Sequence, residues 1–175
     1  MQLDHLKRDI IITQKKGLPF ICASVMIWGL IAIIASLDID IQLKNILVFV
    51  CSTPLMLFAW LFGKVLKVDI FKNENPLGKL GFIFTLNQMI YLLIVMWVFN
   101  AVPEKMIMVY AMVFGAHLLP YSWLYDSKIY AIFSVTIPVI ALVLGNLYSI
   151  NILPIAMVVI EIIFVIVLFL EMKQE

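Results

Sequence analysis

The sequence predicts an all-α fold: a polytopic membrane protein of six transmembrane helices with both termini cytoplasmic. Three observations carry this. First, 65% of the 175 residues are hydrophobic, 13% are charged and the mean hydropathy is +1.12. Soluble domains average about 25% charged residues, so this chain has too few to cover a water-facing surface. Second, the apolar residues fall in six runs, each long enough to cross about 30 Å at 1.5 Å per residue. Third, the net charge of +1 hides an asymmetry along the chain. Lys7, Arg8, Lys15, Lys16, Lys64, Lys67, Lys72, Lys79, Lys128 and Lys173 fall on one side of the alternating spans, against Lys44 and Lys105 on the other. Basic residues mark the cytoplasmic side, and an even number of spans returns both termini to it.

The elements follow in order. Residues 1–17 form a basic amphipathic segment, with Leu3, Leu6 and Ile10 at helical spacing beside the four cations of the tail. That pattern suits a helix lying on an anionic cytoplasmic surface. Helices are expected at 18–37, 45–66, 80–100, 106–125, 128–147 and 152–171. The links are short except 67–79, where Asn75-Pro76 and Gly78 signal a turn. Nothing resembles an interdomain linker, so 1–175 reads as one membrane domain. Cys22 and Cys51 lie in apolar runs and read as small buried hydrophobes. No cleavable signal peptide is evident, because the first run is too long and lacks an early small-residue cleavage site. Trp60, Trp97 and Trp123, with most tyrosines, fall near span ends and suit interfacial belts. Trp28 and Tyr91 are the mid-depth exceptions.

A layer of polar groups lies level near the midplane. Asn87 and Gln88 sit in the third span, His117 in the fourth and Glu161 at the centre of the sixth. Ser24, Ser52, Thr53, Ser134 and Thr136 are within about two turns of the centre. Such groups must find partners or face a cavity in hydrocarbon. A cluster of Glu161, His117, Asn87 and Gln88 is the economical arrangement. Tyr110, Phe114, His117 and Tyr121 form one helical stripe, and Tyr91 lies a turn beyond Asn87 and Gln88. These faces suit an aromatic pocket with a few polar groups. They equally suit a packed interface held by side-chain hydrogen bonds.

Glu161 carries the most weight. A central acid costs about 2.5–3.5 kcal/mol of insertion free energy, and each surrounding Ile, Leu, Val or Phe returns about 0.3–0.6. The helix therefore inserts whether the acid is functional or structural. A Glu–His pair at the midplane suits a proton relay. No Cys/His spacing matches a metal set, so no metal and no cofactor is expected.

Pro54 and Pro138 lie mid-span in the second and fifth segments, each after hydroxyl residues. Corresponding interrupted helices in two halves of three would fit an inverted repeat. Pro120 lies one turn from His117, and Ala111 with Gly115 offers a small-residue contact.

The run His117-Leu118-Leu119-Pro120-Tyr121-Ser122-Trp123-Leu124-Tyr125, with the basic tail and six spans, resembles a group of small bacterial integral membrane proteins of unknown function. The resemblance implies a bacterial cytoplasmic membrane location and no particular activity.

Two functional readings stay open. In the first, a midplane polar pocket binds or transports a small molecule or ion with proton coupling, using Glu161, His117, Asn87, Gln88, Tyr91 and Tyr121. In the second, the chain is a structural or regulatory accessory protein. An enzyme is disfavoured, because a lone Glu and a lone His form no recognisable catalytic constellation. The expected partners are the lipid bilayer, a small ligand and a second copy of the chain, with no nucleic acid.

Overall fold

The computed structural model describes residues 3–71 and 74–173; Lys72, counted among the cations above, lies outside them. Among the described residues there are nine α-helices and no strand. α1 (Leu3–Gln14) meets α2 (Leu18–Ser36) through a 3-10 turn, Lys15–Gly17. The second apolar segment is α3 (Ile41–Ser52) followed by α4 (Leu55–Leu66). The third is the unbroken α5 (Pro76–Ala101). The fourth is α6 (Met106–Ala116) followed by α7 (Leu119–Leu124). α8 (Lys128–Leu147) and α9 (Ile152–Lys173) complete the chain. Six helical stretches are long and apolar enough to cross a membrane, as in a multi-pass membrane protein.

The prolines do not act alike. Pro54 has no N–H to give the Val50 carbonyl, and the helix breaks there. Thr53 re-satisfies that carbonyl from its backbone N, at 3.1 Å, and from its Oγ1, at 2.8 Å. Pro120 opens α7 just after a second break at His117–Leu118. α8, by contrast, runs straight through Pro138. There α6 comes so close that a Cβ on Gly115 would stand 2.5 Å from Pro138 Cδ and 2.7 Å from Ile137 Cγ2. The proline symmetry expected of an inverted repeat is thus not matched in the backbone.

Lysines close several helix ends. A helix leaves its last carbonyls unpaired and slightly negative, and a cation there satisfies both needs. Lys44 Nζ donates to the Ala35 carbonyl of α2 at 2.9 Å. Lys105 Nζ donates to the Gly145 carbonyl of α8 at 2.8 Å. Lys15 Nζ donates to the Leu66 carbonyl of α4 at 2.7 Å. At the opposite polarity, Asp40, Asn75 and Ser127 accept from backbone N–H groups at the starts of α3, α5 and α8. Asn75 also donates to the Leu6 carbonyl and to Asp9, which fastens α1 to the start of α5.

α2 is the central helix, packed against α9 and α4, while α6 packs on α8 and α8 on α9. Its inward stripe is Ile21, Ser24, Trp28, Ile31 and Ala35, all buried. α9 turns Met157, Glu161, Phe164 and Leu168 inward at the same spacing. α5 is peripheral: Val95 and Val98 are its buried residues. Cys22 and Cys51 are both free thiols.

Candidate functional site: a buried carboxyl between two helices

Glu161 is completely buried, halfway along α9, on the stripe that faces α2. Its hydrogen-bond partner is the Ser24 hydroxyl, through Oε2. Its other oxygen, Oε1, is buried with no hydrogen-bond partner. The described residues place no cation against it. Ser24 Oγ also lies 2.7 Å from the Ile21 carbonyl one turn back.

A serine hydroxyl has one proton and two lone pairs. Ser24 therefore cannot donate to Ile21 and Glu161 together. If it donates to Ile21, Glu161 must be a carboxylic acid donating to Ser24. If it donates to Glu161, the carboxyl needs no proton at that oxygen. The pair accommodates both protonation states by rotating one hydroxyl.

His117 lies elsewhere, half-buried at the break between α6 and α7. Its Nδ1–H donates to the Phe114 carbonyl, which leaves Nε2 as the acceptor of a neutral ring. The expected stripe is present as a ladder of rings. Trp28 meets Tyr110 and Phe114, His117 meets Phe114 at 5.4 Å, and Tyr121 meets His117 at 5.9 Å. The ladder continues from Tyr121 to Tyr130 at 6.1 Å and from Tyr130 to Phe164 at 5.1 Å, one turn from Glu161. The Tyr110 hydroxyl lies 2.6 Å from Ser52 Oγ, and Tyr121 shares a 2.9 Å contact with Thr85 and donates to the Gly81 carbonyl.

The six residues singled out in the sequence thus divide. His117 and Tyr121 are neighbours, and packed rings separate them from Glu161. Asn87 and Tyr91 are exposed on the outer face of α5, and Gln88 is half-buried. Among the described residues, none of these three hydrogen-bonds to Glu161 or His117. The reason is position: depth along a span is readable from sequence, whereas its neighbours are set by packing, and α5 packs against α6, α7 and α1, not beside α9, with Asn87 turned outward. Ser24, which does meet Glu161, was one of several hydroxyls near the centre. It lies on the buried Ile21–Trp28–Ile31–Ala35 stripe, a face that the uniformly apolar α2 sequence does not mark. Among the described residues, no three His, Cys, Asp or Glu side chains gather to hold a metal ion.

One protein-family model matches residues 3–171, and it describes a family of unknown function, DUF7010. The chain belongs to the DUF7010 family. No curated protein and no solved structure matches it. For this DUF7010 member the chemistry is therefore argued from the side chains themselves.

A second polar centre of this DUF7010 chain was not legible in its sequence. Lys16, expected in a helix lying on the cytoplasmic surface, is completely buried and pairs with Glu171 of α9 at 3.1 Å. Ser127 Oγ donates to the same Glu171 oxygen at 2.6 Å. The Tyr130 hydroxyl donates to the Lys16 carbonyl at 2.7 Å, and the Tyr125 hydroxyl to Gln14 at 3.0 Å. Lys15, Lys16 and Gly17 all have positive φ, at 47°, 50° and 72°. This left-handed turn sends Lys15 to the end of α4 and Lys16 inward to α9.

Proposed function

We propose that the chain is a multi-pass protein of the bacterial cytoplasmic membrane with both termini cytoplasmic, and that Glu161 with Ser24 is its proton-exchange site, serving the binding or transport of a small molecule or ion. The observation behind this is the state of Glu161: fully buried in the middle of an apolar helix, with one hydroxyl partner and an unsatisfied oxygen. Ionisable groups in such positions mark ion and proton pathways. Ser24 supports both protonation states, and Oε1 is an open acceptor for a cation, a water or a ligand donor. His117, at a helix break with Nε2 free to accept, is the second candidate polar group of the pathway.

A second reading has its own support. Ser24 and Glu161 are both buried, and Asn87 and Tyr91 face outward. An accessory protein without chemistry would use the Ser24–Glu161 contact only to lock α2 against α9. Proteoliposomes with a trapped pH dye separate the two. Under the proton-exchange reading, wild-type protein dissipates an imposed pH gradient and Glu161→Gln does not. Equal rates would leave the structural reading standing.

The proposal includes a second copy of the chain along α5. Ile83, Asn87, Ile90, Ile94 and Trp97 are all exposed and repeat at intervals of four and three residues. That is a heptad seam with one polar residue near its centre. Asn carries both a donor and an acceptor, so two copies facing each other satisfy one another.

A further inference from the structure

A cleft of about 790 Å³ opens at the end of the molecule that carries α1, between that helix and the ends of α4 and α9. Its volume is that of a ligand site. Three cations, Arg8, Lys15 and Lys173, line it, with one carboxylate, Asp126. Two positive charges are thus in excess. The remaining lining is apolar and includes Ile12, Leu66 and Phe169.

The cleft is built by particular contacts. The left-handed turn at Lys15–Gly17 folds α1 back over the ends of the other helices. Non-glycine residues at positive φ are strained, and such turns persist where surrounding structure over-determines them. Lys15 is anchored by the Leu66 carbonyl at 2.7 Å, which uses one of its three N–H donors. Lys173 stands over the Phe169 ring at 4.7 Å. The arrangement is cationic groups above an apolar wall, where the apolar helices α4 and α9 end.

We propose that this cleft binds an anionic phospholipid, with the headgroup phosphate held by Arg8, Lys15 and Lys173 and the upper acyl chain against the exposed Ile12 and Phe169 and the half-buried Leu66. This rests on the reading of the chain as a membrane protein. Given that reading, the cleft lies at headgroup depth on the cytoplasmic side, where anionic lipid meets juxtamembrane basic residues. Arg offers a planar fork for phosphate oxygens, and the lysines act as point charges. The apolar wall selects a lipid over a free anion. The excess of two charges selects an anionic headgroup over a zwitterionic one.

The test is native mass spectrometry of the full chain in detergent. It is titrated with phosphatidylglycerol, with phosphatidylcholine of the same acyl chains, and with inorganic phosphate. Phosphatidylglycerol should be retained about tenfold better than phosphatidylcholine, which is about 1.4 kcal/mol. The triple variant Arg8→Gln, Lys15→Gln, Lys173→Gln should lose that preference. A control triple, Lys64→Gln, Lys67→Gln, Lys79→Gln, removes the same charge from residues that do not line the cleft and should keep it. Circular dichroism checks that both variants fold. Equal retention of the two lipids overturns the proposal, as does equal loss in both triples. Phosphate that displaces phosphatidylglycerol at matched concentration overturns the lipid in favour of a free anion. A separate vesicle-flotation arm guards the premise: a chain that fails to float refutes the membrane reading, whereas a floating chain without headgroup preference refutes the cleft alone.

Discussion

The Ser24 hydroxyl of α2 is shared between the Glu161 carboxyl of α9 and the Ile21 carbonyl of its own helix. One proton cannot serve both acceptors, so Glu161 and Ser24 divide the donor role according to the protonation of Glu161. Ser24→Ala removes the partner and leaves a buried carboxyl with no hydrogen bond. This should cost about 1–3 kcal/mol. Glu161→Leu leaves Ser24 bonded to Ile21 and should cost less, because an apolar group of similar size replaces a buried polar one. Thermal unfolding in detergent gives the order. A larger loss for Glu161→Leu than for Ser24→Ala would contradict this view of the pair.

The ion pair at the end of the bundle predicts a different pattern. Lys16 is fully buried, while the Glu171 side chain is 20% exposed. Breaking a buried pair costs about 3–5 kcal/mol, and the partial exposure of Glu171 reduces this to about 2–3. Glu171→Gln and Lys16→Met should each destabilise by that amount. The double variant Lys16→Met, Glu171→Gln should lose less than the sum of the two single losses. Additive losses in the double variant would argue against direct coupling.

Two glycines in the apolar helices should behave in opposite ways. A Cβ on Gly115 would overlap Pro138 and Ile137, whereas Gly29 has nothing within 4 Å of its Cβ position. Gly115→Ala should cost about 1–3 kcal/mol through overpacking against α8. Gly29→Ala should be neutral or slightly stabilising, since alanine is the better helix former. Equal effects in unfolding measurements would mean that the α6–α8 approach is looser than described.

The α5 seam predicts a contact between copies. Ile90→Cys, in a background with Cys22→Ala and Cys51→Ala, should form a disulfide-linked dimer in membranes. Glu74→Cys, away from the seam, should not. Asn87→Leu should weaken the dimer, since it removes an interhelical hydrogen-bonded pair within the membrane. Crosslinking unchanged by Asn87→Leu would remove Asn87 from the interface.

How far the sequence carried can be judged from these residues. Each apolar run forms helix because composition and length alone demand it, and the depth of Glu161 follows by counting from the ends of its run. The breaks at Pro54 and Pro120 fall at prolines visible in the sequence. That α8 continues through Pro138, with Gly115 of α6 packed against it, is reported by no local pattern. The facing of Asn87 and Gln88 was read inward because polar groups at mid-depth need partners. α5 instead sits at the edge with Asn87 turned outward. Lys16 reads as a tail cation because its burial depends on a strained turn and on Glu171, 155 residues away. Ser24 was not selectable from the sequence: α2 is apolar all round, so nothing local marks which of its faces is buried, and Ser134 is equally buried in α8.

The most direct measurement is infrared spectroscopy of the reconstituted chain across pH, wild type against Glu161→Gln. The proposal predicts a carboxylic C=O band that titrates reversibly in the wild type, is absent from Glu161→Gln, and shifts in Ser24→Ala. It also predicts that the band exchanges with deuterated buffer. A Glu161 carboxyl that neither titrates nor exchanges in the folded protein would contradict proton exchange and leave Glu161 a packing residue between α2 and α9.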